Sequence, residues 1–157
     1  MNVTRHSPRP RRLLIGLGGA LVVAMACARP SQPTQPVGGR TEQTIQLNTE
    51  FQLGFGKEAV VDGSSLRIRF DTLLEDSRCP VDVQCVWAGN AKIVLRLEGD
   101  VSEGMKLVTL NVLLEPRAAR YGSFVIRFEG LDPAPHSQQK PDLHSYVATL
   151  SVKPVAS

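Results

Sequence analysis

Alternation of apolar and polar residues with a period of two constrains this chain most. SLRIRFDTLL sets Leu66, Ile68 and Phe70 on one face and Arg67, Arg69 and Asp71 on the other. AKIVLRLEG sets Ile93, Leu95 and Leu97 against Lys92 and Arg96. SFVIRFEG repeats the device with Phe124, Ile126 and Phe128, and SYVATLSVK with Tyr146, Ala148, Leu150 and Val152. Successive side chains of a strand point to opposite faces, so such runs are half-buried strands rich in β-formers. EAVVDGSSLRIRF carries Asp62-Gly63 between two apolar runs, a hairpin signal. KLVTLNVLL is less regular but long and β-branched, and IQLNTEFQLGFG adds one or two more strands. No stretch shows sustained apolar 3.6 spacing with caps. The pattern predicts an all-β domain over residues 44–154, an antiparallel sandwich or small barrel of six to eight strands. About 110 residues suffice for a core of their own. No internal repeat or second domain is visible.

The first 26 residues read as a signal peptide. Arg5, Arg9, Arg11 and Arg12 precede an uncharged run, LLIGLGGALVVAMAC, from Leu13 to Cys27. A bilayer-spanning helix needs roughly 20 apolar residues, so this run is short for a membrane span. Ala24-Met25-Ala26 satisfies the small-x-small rule for signal cleavage, and Cys27 follows directly. The arrangement resembles the lipobox of bacterial lipoproteins, which implies a lipidated Cys27 at the mature N-terminus; simple secretion is the alternative. Arg11-Arg12 invites a twin-arginine reading, but the flanking residues follow that pattern poorly. Residues 28–43, ARPSQPTQPVGGRTEQ, are too polar and proline-rich to bury a core and read as a disordered tether. The expected address is the bacterial cell envelope, on the outer membrane or cell surface if lipidated, periplasmic or secreted if not.

The signal segment also changes the charge argument. It holds four of the 18 basic residues and none of the 15 acidic ones, leaving 14 against 15. Bulk basicity therefore belongs to a removable piece, and nucleic acid is not an expected partner.

Of three cysteines, Cys79 and Cys85 remain once Cys27 is assigned to lipid. Exported chains meet oxidising conditions, and the expected reading is a disulfide closing CPVDVQC. A zinc site wants closer cysteine spacing and a second ligand pair, whereas His136 and His144 lie more than fifty residues on. A redox centre of the usual kind wants C-x-x-C. No metal and no cofactor is expected.

EDSRCPVDVQCVWAGNAKIVL resembles a signature of small uncharacterised exported bacterial proteins and lipoproteins, with D-S-R-C-P…C-x-W-A-G at its centre. The resemblance covers roughly residues 50–153. It implies export and the cysteine pair, and brings no activity. LDPAPHSQQKPDLHS departs from it, where a tighter proline-aromatic turn is expected.

Within this stretch Asp76 and Ser77 can start a turn, Pro80 stiffens the chain, and Gly89-Asn90 permits a bend into the next strand. Trp87 is read as supporting the core or the loop, in preference to an exposed binding anchor. Arg78 is read as a local surface partner of Glu75 or Asp76, worth under about 1 kcal/mol. Asp76, Arg78, Asp82 and Trp87 are the candidate binding residues of the loop. A bond that ties a long connection to the sandwich is preferred to a recognition surface. No G-x-S-x-G, H-E-x-x-H or phosphate-binding glycine loop is present, so no enzyme is expected. The leading functional expectation is a lipid-anchored module that binds a protein or envelope component. A non-lipidated structural envelope protein and a small hydrolase are the alternatives.

Overall fold

The alternating runs become strands because each can bury one face only against another sheet. The computed structural model describes residues 42–100 and 102–156; the predicted signal peptide, Cys27 and the linker up to residue 41 lie outside them. Nine strands appear among the described residues: β1 (Gln43–Ile45), β2 (Glu50–Gly54), β3 (Glu58–Val61), β4 (Arg67–Asp76), β5 (Ala91–Glu98), β6 (Lys106–Asn111), β7 (Ala118–Tyr121), β8 (Phe124–Asp132) and β9 (Val147–Pro154). One sheet has the order β1-β3-β4-β5-β6, the other β2-β9-β8-β7. The sandwich is thus the fold, with one strand more than the upper expectation, and β1 takes up Gln43, assigned above to the linker.

The predicted faces are the buried ones. Ile68, Phe70, Ile93, Leu95 and Leu97 from the first sheet meet Ile126, Phe128, Ala148, Leu150 and Val152 from the second in a single apolar cluster. That cluster runs from Ile45 to Val152, so the described region carries its own core. Asp62-Gly63 turns β3 into β4, with Gly63 at φ +69°, a conformation that costs glycine little.

Two departures from simple alternation matter. The pairing is not wholly antiparallel: β1 lies parallel to β3, Gln43 opposite Ala59. The chain crosses to the second sheet as β2 and returns, and two reversals bring it back in its original direction. Second, the β4–β5 register slips between Phe70 and Thr72 and again between Leu73 and Glu75. Each slip leaves an extra residue in β4, and bulges of this kind bend a strand and re-aim its side chains. The alternation of SLRIRFDTLL holds through Phe70 and then fails, leaving Leu74 exposed and turning the Asp76 side chain inward.

The order of the strands puts three connections at one end of the sandwich, two of them fourteen residues long. They are residues 77–90 between β4 and β5, 112–117 between β6 and β7, and 133–146 between β8 and β9. The opposite end has the turns at 62–66, 99–105 and 122–123, none longer than seven residues.

Candidate functional site

All four candidate loop residues lie at this loop end, in two different roles. The neck of the 77–90 loop is a backbone clamp. Ser77 N–H donates to the Asn90 carbonyl at 2.8 Å and Cys79 N–H to the Ala88 carbonyl at 3.0 Å. The limbs approach so closely that a Cβ on Gly89 would sit 1.8 Å from the Ser77 carbonyl oxygen, and Gly89 also has φ +73°. Both facts require glycine at this point of W-A-G-N. Asn90 is buried beneath the neck, its amide donating to Asn111 Oδ1 at 2.9 Å and its oxygen accepting from Leu113 N–H at 3.3 Å. The 112–117 connection is thereby fixed beside the neck.

Asp76 and Arg78 form the second clamp. Arg78 grips both carboxylate oxygens, Nε to Oδ1 at 2.7 Å and Nη2 to Oδ2 at 2.8 Å. The same guanidinium donates to the Leu131 carbonyl and, at 2.8 Å, to the Pro133 carbonyl. Tyr146, from the far end of the 133–146 connection, donates its hydroxyl to Asp76 Oδ2 at 3.0 Å. This corrects the expectation of a surface pair: only 8% of the Asp76 side chain and 14% of the Arg78 side chain are exposed. A bidentate guanidinium–carboxylate pair fixes direction as well as distance. Burial pushes the Asp76 carboxyl up, but the hydrogen bonds from Arg78 and Tyr146 and the Arg78 charge outweigh it and hold it below its ordinary value. The Tyr146 hydroxyl is pushed up to about 12, by burial and by its bond to Asp76.

Asp82 makes the third clamp. Its carboxylate accepts from the Ser137 hydroxyl at 2.6 Å and from Ser137 N–H at 2.9 Å. These bonds, the hydroxyl first, hold it below the usual carboxylate range. His136 Nδ1 stands 3.9 Å away, and Val81 N–H donates to the Pro135 carbonyl at 3.0 Å. The 133–146 connection is therefore the wall against which the cysteine loop is built. Between the two lies an open groove of about 400 Å³, lined among others by Leu74, Arg78, Pro80, Pro135, Lys140 and Tyr146.

Cys79 and Cys85 are joined, with Cα atoms 5.9 Å apart. The bond closes the loop on itself; the ties to the sandwich are the three clamps. Trp87 corrects its own expectation. It packs on neither disulfide nor sheet: it is 82% exposed, and its neighbour Val86 is 89% exposed. Val81 and Val83 are exposed on the same loop, and Leu113 and Leu114 on the adjacent connection. Apolar side chains thus stand in water on backbone that is tied down at its base.

Sequence reasoning brought Asp76, Arg78, Asp82 and Trp87 to one loop but missed Tyr146, Ser137 and the Leu113-Leu114 pair. A tyrosine at the end of an alternating run was the available signal, since a buried ring leaves its hydroxyl seeking a partner. The carbonyls of Leu131 and Pro133 left none. Among the described residues, no group of three or more His, Cys, Asp or Glu side chains is placed to hold a metal ion. Comparison with protein-family models, curated proteins and solved structures finds no match to this chain.

Proposed function

We propose that this chain is an exported, lipid-anchored β-sandwich whose loop end is a preformed contact surface for a component of the cell envelope. The observation that carries the reading is Trp87 with Val86, exposed on a loop whose base is fixed by a disulfide and by the Asp76–Arg78 and Asp82–Ser137 clamps. Exposed tryptophan is costly to leave in water and is enriched where surfaces meet. A loop ordered before contact pays less entropy on binding, which favours affinity. Export and lipidation at Cys27 rest on the arginine-led apolar segment and the Ala24-Met25-Ala26-Cys27 junction; the disulfide is compatible with an oxidising address.

The hydrolase alternative draws little support from the loop carboxylates. A general acid needs a raised pKa. Asp76 and Asp82 are both held low and both engaged by neighbours.

The test has two arms. Mass measurement of the mature chain should find a diacylglyceryl-modified Cys27 at the N-terminus, lost in Cys27→Ala; an unmodified chain removes the anchor from the reading. Washed native envelopes should retain the unlipidated chain and release Trp87→Ala; equal retention of both removes the contact surface.

A further inference from the structure

From the loop end we infer that the envelope component is the bilayer itself: the tip docks into the lipid–water interface through Trp87, Val86 and the neighbouring apolar side chains. The inference rests on the contact-surface reading above and names its partner. Four observations lead to it.

The first is composition at the tip. Val81, Val83, Val86 and Trp87 on one connection and Leu113 and Leu114 on the next are all exposed. Asp82 is the only charged residue from Pro80 to Asn90, and Ser137 occupies its carboxylate. On the second connection Glu115 follows the leucines and accepts from Arg117 N–H at 2.9 Å. Six exposed apolar side chains with so few charges among them suit the boundary between headgroups and acyl chains. The second is the kind of side chain. Tryptophan concentrates at membrane interfaces, where its ring is apolar and its N–H still finds a polar partner.

The third is shape. The two connections are held side by side through Asn90, whose oxygen accepts from Leu113 N–H at 3.3 Å and whose carbonyl accepts from Ser77 N–H at 2.8 Å. Their apolar residues stand exposed on these adjoining connections; a deformable lipid surface needs no matching concavity. The fourth is reach. Fourteen residues, 28–41, separate Cys27 from Glu42. Fully extended they span at most about 50 Å. The ten-residue β4 that runs the height of the sandwich is about 33 Å long. A lipid on Cys27 therefore leaves the loop end free to face the same membrane, and two weak attachments together give the stable anchoring that one acyl chain does not.

Trp87 is the chain's single tryptophan, so its fluorescence reports the tip alone. The experiment uses the chain from residue 28, which lacks the lipid and retains the complete core, mixed with phosphatidylcholine vesicles. The expected result is co-sedimentation, a shift of emission to shorter wavelength, and quenching by brominated acyl chains. Trp87→Ala and the double variant Leu113→Ser/Leu114→Ser should each lower partitioning about tenfold or more, the transfer of one or two large side chains expressed as a ratio. Both should keep the parent's melting temperature.

Emission that stays unshifted, with the chain in the supernatant at millimolar lipid, overturns the inference. So does a shift that rises with protein concentration without vesicles, which would mark a second copy as the occupant. Binding confined to anionic vesicles, reversed by salt and without a shift, overturns it too. If vesicles fail while native envelopes still retain the parent over Trp87→Ala, the lipid inference falls and the contact surface stands on another partner. If neither retains it, both fall.

Discussion

The two ends of the sandwich solve one problem differently. At the turn end, Tyr121 is buried, and its hydroxyl donates to the Gly104 carbonyl at 2.5 Å and accepts from Asp100 N–H at 3.0 Å. Glu103 accepts from Gly122 N–H at 2.7 Å, and Ser65 donates to the Gly99 carbonyl at 2.7 Å. These turns are pinned by a side chain that belongs to the core, so at Tyr121 burial and order arrive together. At the loop end, order comes from a disulfide, an ion pair and an Asp–Ser contact, while valines, leucines and the tryptophan stay outside. Where polar and covalent ties fix a loop, its apolar residues are released from holding it in place. They can then be spent on contact with something else, and removing them should cost almost no stability.

That contrast can be broken at several levels. Phe128→Ala strikes the core both ends share. It should cost about 3–5 kcal/mol and unfold the two ends in a single transition, read by chemical denaturation followed at several probes. Arg78→Ala should cost about 3 kcal/mol, because it leaves the buried Asp76 carboxylate without its charge partner. Its damage should centre on residues 76–90 and 131–137 in hydrogen exchange and spare the turn end.

The same clamp sets a pH dependence. The Asp76 carboxyl lies lower in the folded chain than its ordinary value of about 3.9, so its contribution is complete above that pH and is lost as pH falls through the lowered value. Tyr146 has the opposite sign: raised to about 12, it contributes fully below about pH 10 and loses that contribution as pH climbs through 12. Asp76→Asn should flatten the acid limb and Tyr146→Phe the alkaline one, both read as melting temperature against pH.

Replacing both Cys79 and Cys85 by serine should cost about 2 kcal/mol, the closure entropy of so short a loop. It should loosen residues 80–88 and leave the Asp76–Arg78 clamp in place. Tyr121→Phe should cost about 1–2 kcal/mol, since the Asp100 N–H and Gly104 carbonyl lose their partner. Trp87→Ala should change stability by less than about 0.5 kcal/mol, the range of an exposed site. It should nonetheless abolish envelope retention.

Alternation made most of the core readable in advance: Ile68, Phe70, Ile93, Leu95, Leu97, Ile126, Phe128, Leu150 and Val152 point where their period places them. It misled where local geometry departs from period two. The two bulges in β4 have no residue signature in FDTLLED, yet they expose Leu74 and turn Asp76 inward. The parallel β1–β3 pair depends on two sheet crossings, and a three-residue strand cannot announce its direction. The disulfide was legible because an export reading with Cys27 set aside leaves two cysteines, Cys79 and Cys85, to pair. The burial of Arg78 was not, because its carbonyl partners, Leu131 and Pro133, come from more than fifty residues away and any residue type would present them. Trp87 was misjudged for a related reason. A large ring beside a disulfide invites the expectation of packing, but the loop is held by backbone bonds, the disulfide and polar clamps, and the ring stays exposed.

Trp87 is held to be both ordered and exposed, and relaxation measurements joined to quenching probe the two properties at once. Backbone order parameters should lie near 0.85 for residues 79–90, as in the strands. Acrylamide quenching of Trp87 should be close to that of free tryptophan. Order parameters below about 0.6 across the loop, or a tryptophan shielded from quencher in the isolated chain, would contradict that pairing of order and exposure.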